Sequence, residues 1–164
     1  MTSLFTNRPR IWVIPATFLA SYVLISFPVG LQWRGYAPDW VTLVLIYWCM
    51  ALPERVGISS AWLLGLFFDA QQSFILGQHA LGFIFLAYII IRNHKRLRVY
   101  PLLQQALVVC LYLLIYQAIM LLVMLLSGTI TYTLFYWLPA FTSMLIWPWL
   151  FIFMRDFRRK NNIA

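Results

Sequence analysis

A chain of 164 residues that is 63% hydrophobic and only 10% charged, with a mean hydropathy of +0.83, stands far from the soluble average of about 25% charged residues and reads as a one-domain integral membrane protein. Its apolar runs are long enough for helices, whereas a membrane barrel needs short segments alternating apolar and polar, so the expected fold is an all-α transmembrane bundle. A net charge of +8 and a pI near 9.9 do not argue for nucleic acid, because the basic residues stand in short clusters beside apolar runs and read as topology determinants.

In chain order, Arg8, Pro9 and Arg10 precede a first apolar run, 11–29. It exceeds a signal-peptide core and has no evident small-x-small cleavage site, so it is taken as the first membrane helix. Ala16 and Ala20 give it a small-residue pair for close packing. The connection to residue 39 carries Trp33, Arg34, Tyr36 and, just beyond, Trp40, side chains expected at a membrane interface. Pro38 and Asp39 open the second segment, 40–52, where Asp39 is placed to cap the helix with its carboxylate. That segment covers only about 20 Å and is short for a full span.

Pro53 to Gly57 reads as a tight turn, with Ser59 or Ser60 available to cap the third helix, 59–76. At four-residue spacing Ala61, Gly65, Asp69, Ser73 and Gly77 form one seam of small or polar residues on this otherwise bulky helix. Such a seam permits close approach, so the third helix is the expected packing centre and the expected place for contact with neighbouring or partner helices. Asp69 lies about 16 Å past Ile58, in the far half of a roughly 30 Å apolar core. A carboxylate there requires a reason, and no intramembrane Arg, Lys or His partner is evident for it.

After a turn at Gly77-Gln78-His79 the fourth segment covers 80–91, followed by a basic loop holding Arg92, His94, Lys95, Arg96 and Arg98. Pro101 suits the first turn of a long fifth helix, 101–126, on which Gln104, Gln105 and Gln117 read as interhelical glue. The sixth, 133–154, contains Pro139 and Pro148 as expected kinks and leads into the basic tail from Arg155 to Lys160. With six crossings and both termini cytoplasmic, eleven of the twelve lysines and arginines face inward and Arg34 alone faces out, as the positive-inside rule requires.

Chemistry is sparse. His79 and His94 fall at opposite expected faces and cannot share a metal, Cys49 and Cys110 sit in apolar runs without metal or redox spacing, and no P-loop, nucleotide fold or zinc spacing occurs. The residues point to a non-enzymatic protein without a cofactor.

Pro38-Asp39 at the head of the second segment, then Gly65-x-x-x-Asp69 and Leu76-Gly77-x-x-Ala80-Leu81, resemble the pattern of the rod shape-determining protein MreD family. The stretch from Trp40 to Ile58, the length, the six runs and the basic tail are also similar, while Gln71-Gln72-Ser73 departs from the family's pattern. The resemblance implies a non-catalytic inner-membrane scaffold of bacterial cell-wall elongation. Its implied partner is MreC, and through MreC the glycan polymerase RodA, a class B penicillin-binding transpeptidase and MreB filaments. It also implies a fold similar to the S components of energy-coupling factor transporters, which supplies the alternative of a small-solute-binding subunit. Fold alone does not decide between the two.

Overall fold

The computed structural model describes residues 11–26, 35–72, 77–128 and 134–161. Among them are six α-helices and no strand: α1 (Val13–Ser26), α2 (Trp40–Ala51), α3 (Ile58–Gln72), α4 (Gln78–Val99), α5 (Leu102–Leu126) and α6 (Leu138–Lys160), the last entered through a 3-10 turn, Leu134–Trp137. The spans Leu102–Leu126 and Phe135–Lys160 are long and apolar enough to cross a membrane, and α1 and α2 are apolar but shorter.

The packing centre is α2, which corrects the expectation that it would be α3. Every residue from Val41 to Met50 is buried, and α1, α4 and α6 all pack against this helix. The physical reason is that α2 is apolar on all sides, and such a helix has no face to offer water. By contrast α3 exposes Trp62, Leu63 and Phe67. Twelve residues make α2 about 18 Å long, so its ends fall within the protein and its unpaired backbone groups need protein partners. Asp39 supplies them at the N-terminus. At the other end Arg98 donates from Nε to the Met50 carbonyl (2.8 Å) and from a terminal nitrogen to the Ala51 carbonyl (2.6 Å), a cation meeting the negative end of the dipole.

Two helices continue past their expected ends. Helix α4 runs through the basic cluster to Val99, where the sequence suggested a loop after Ile91. Lysine and arginine are good helix formers, and the first real stop is Pro101, which holds Tyr100 in an extended conformation. For the same reason α6 continues through the basic tail to Lys160. Pro139 sits in the first turn of α6, where its missing N–H costs nothing, and Pro148 lies within a helix that continues on both sides of it. Neither expected serine caps α3: the helix starts at Ile58, and Ser60 Oγ donates back to the Gly57 carbonyl at 2.7 Å.

The C-termini of α2, α4 and α6 gather at one end of the bundle. Arg98 ties α4 to α2, and Tyr47 of α2 packs on Phe151 and bonds Arg158 of α6. This is the basic end. Gln105 braces it, donating to the Leu97 carbonyl (2.8 Å) and accepting from Trp147 Nε1 (3.4 Å). The opposite end holds Asp39, Asp69 and the α3–α4 turn.

Candidate functional site

The site grows from the way α3 and α4 meet. Gly65 lets their backbones touch, since a Cβ there would stand 2.3 Å from Ala80 Cα and 2.5 Å from Ala80 N. The chain doubles back at Gly77, whose φ of +102° lies in the region that favours glycine. Gly77 is also the N-cap of α4 and has no side chain with which to cap it. Asp69 does so from the neighbouring helix. Its Oδ2 accepts from the Gly77 N–H (2.8 Å), and its Oδ1 accepts from the His79 N–H (3.0 Å) and lies 2.6 Å from His79 Nδ1. The carboxylate is fully buried at 0% exposure, and it stands where the free N–H groups and the dipole of α4 favour a negative charge.

This arrangement corrects the reading of Asp69 as a carboxylate without a histidine partner. The two are ten residues apart and on different helices, and only the reversal at Gly77 joins them. A glycine between an acid and a histidine at the joint of two apolar runs was the available signal. The His79 ring is held on its other sides by Phe68 (centroids 4.6 Å apart) and Phe83 (6.4 Å).

Asp39 does for α2 what Asp69 does for α4. Its Oδ1 accepts from the Thr42 N–H (3.2 Å) and its Oδ2 from Thr42 Oγ1 (2.5 Å), while its own N–H donates to Ser143 Oγ on α6 (3.0 Å). The Tyr116 hydroxyl of α5 bonds Thr42 in turn. Because the Thr42 proton is directed at Asp39, Tyr116 is the donor in that contact. Asp39 lies close enough to His79 and Tyr136 to interact with them electrostatically, so both capped helix ends belong to one polar layer inside an apolar bundle.

Of the residues singled out in the sequence, Ala61, Gly65 and Asp69 are buried, and at Gly65 and Asp69 it is α4 that covers the seam. Pro38 and Asp39 are half-buried at the head of α2, Gly77 forms the turn, and Ser73 lies outside the described residues. The hydroxyls of Thr42 and Ser143 are engaged with Asp39. The Asp69–His79 pair is able to share a proton, and three donors already converge on its carboxylate. Among the described residues no three His, Cys, Asp or Glu side chains are grouped to hold a metal ion.

The family model for rod shape-determining protein MreD matches residues 7–157, a span that includes both capped ends and nearly the whole bundle. The chain belongs to the MreD family. It is 40% identical over 155 residues to the rod shape-determining protein MreD of Haemophilus influenzae, an alignment covering 93% of this chain and 94% of that protein. No solved structure matches. Membership gives the chain a role in determining rod shape. Within that family setting, the acids at the heads of α2 and α4 are the groups that fix where the inner helices begin.

Proposed function

We propose that this chain is a non-catalytic scaffold in the bacterial inner membrane, with six crossings and both termini in the cytoplasm, that holds the cell-wall elongation machinery together. Its direct partner is MreC, and RodA, a class B penicillin-binding transpeptidase and MreB are reached through MreC. The observation that carries this reading is the use to which the polar groups are put. Asp39, Asp69 and Arg98 close helix ends and His79 holds Asp69, which makes them parts of a rigid frame. Meanwhile α5 and α6 turn broad apolar faces outward, with Leu103, Leu107, Leu111 and Leu145 all more than half exposed. Faces of that kind suit lipid and partner helices. The inward orientation is supported by the gathering of Arg98 and Arg158 at one end of the bundle, opposite both acids.

Depletion in a rod-shaped cell tests the function. Cells should widen into spheres while division-type wall synthesis continues, and MreC should co-purify with the protein before depletion. Normal rods after full depletion, in a cell with no second copy, would refute the reading.

A further inference from the structure

The outer face of α4 changes character along its length. Leu81, Phe85 and Tyr88 are exposed on it at steps of four and three residues, and Arg92, Lys95 and Arg96, all exposed, continue the same stripe. An apolar stripe thus passes through a tyrosine into a group of cations. The Arg92 guanidinium is steadied there by donating to the Tyr88 hydroxyl at 3.1 Å.

No acid answers these cations. Among the described residues the ion pairs are Asp69 with His79 and Arg155 with Asp156. Arg98, next along the helix, is engaged by the carbonyls at the end of α2. Lys95 and Arg96 stand three and four residues from Arg92, the spacing at which like charges on a helix repel, so an anion seated among them would relieve that repulsion. The basic turn of α6 differs, because Arg155 has Asp156 and Arg158 bonds Tyr47.

Depth distinguishes the kind of anion. The last apolar residue before the cluster is Ile91, and at 1.5 Å per residue Lys95 and Arg96 lie about 6 and 7.5 Å beyond it. One headgroup layer of a bilayer is about 5–7 Å thick, which sets these cations level with lipid phosphates rather than out where a soluble acidic protein would meet them. Tyr88, one turn nearer the apolar core, is a residue favoured at that interface.

We infer that this face of α4 is a headgroup site for an anionic phospholipid of the cytoplasmic leaflet, its phosphate held by Arg92, Lys95 and Arg96 and its chains beside Phe85 and Leu81. Guanidinium and phosphate form charge-assisted hydrogen bonds, and basic residues at this depth draw anionic lipid. A zwitterionic headgroup brings its own ammonium and leaves the cluster unneutralised. The inference rests on the membrane placement proposed above. Resistance of the protein to alkaline extraction from membranes tests that placement separately, and release under that treatment would overturn both.

Native mass spectrometry of the full chain in detergent, with phosphatidylglycerol and phosphatidylethanolamine of identical acyl chains as probes, tests the site. Wild type should prefer phosphatidylglycerol by at least about tenfold, since a single cation at headgroup level accounts for about fivefold. Lys95→Gln/Arg96→Gln should bring that preference down to about fivefold or less; both side chains are exposed, so the fold is kept. Arg155→Gln/Arg159→Gln on α6, which removes the same charge from the same end of the bundle, should leave the preference at its wild-type level. Equal retention of the two lipids by wild type, or an unchanged preference in the α4 variant, would overturn the proposal. Equal loss in the α4 and α6 variants would do so as well, by showing a diffuse attraction to the whole basic end. So would displacement of the lipid by millimolar inorganic phosphate, or recovery of an acidic protein on this face in place of lipid.

Discussion

Replacing Asp69 separates a structural carboxylate from one that works by ionising. The carboxylate accepts from two backbone N–H groups and stands 2.6 Å from the His79 ring nitrogen. In Asp69→Asn the single carbonyl oxygen can keep both His79 contacts at the Oδ1 position, while the amide nitrogen then faces the Gly77 N–H and that one donor is orphaned. The loss is about 1–3 kcal/mol. In Asp69→Ala all three donors lose their acceptor in a fully buried site, and the cap is gone, for roughly 3–5 kcal/mol. At about 2–4 °C per kcal/mol for a chain of this size, the thermal unfolding temperature in detergent should fall modestly for Asn and about twice as far for Ala. His79→Ala should cost less than Asp69→Ala and add little to it in the double variant, because the pair shares one interaction. In cells Asn should largely keep rod shape and Ala should not. Equal loss of shape in both variants, at normal membrane levels and with Asn as stable as argued, would show that the ionisable proton matters and would refute the capping account.

Gly65→Ala should cost about 2–3 kcal/mol, the upper part of the overpacking range, because the new methyl meets backbone of α4, whereas Gly82→Ala meets the Tyr116 ring and Met120 Sδ and should be milder in the same unfolding assay. Arg98→Gln removes the cation at the end of α2; because part of that contact is exposed, a loss of roughly 1–2 kcal/mol is expected, and added salt should weaken wild type toward the variant. A cytoplasm-active reporter should work at both termini and a periplasm-active one near Gly35 and Ser127; a periplasmic C-terminus would sink the six-crossing topology.

How much of this was legible in the sequence depends on the range of each interaction. Asp39 was readable as a cap because it stands three residues from the Thr42 N–H that it bonds, and the small-residue seam was readable because its spacing is helical. The identity of the central helix was not, since α2 and α3 are both apolar and only tertiary packing shows that α2 is enclosed on all sides. The pairing of Asp69 with His79 crosses a turn, and the contact of Arg98 with α2 joins residues 47 and 48 apart in the chain. The glycine between Asp69 and His79 hints at the first, and no local pattern encodes the second. The basic residues of α4 and α6 read as loop and tail on charge alone, although Lys and Arg are good helix formers, and α4 stops only at Pro101.

The scaffold claim is met most directly by crosslinking in living cells from photoreactive side chains placed at Leu103, Leu107 and Leu111 on α5, Leu145 on α6, and Leu63 and Phe67 on α3, all exposed on the bundle surface, with Phe83 in the core as the internal control. The account predicts MreC adducts from at least one of these faces and none from Phe83. Recovery of only lipid adducts and uncrosslinked monomer from every exposed position, in cells that keep their rod shape, would contradict it.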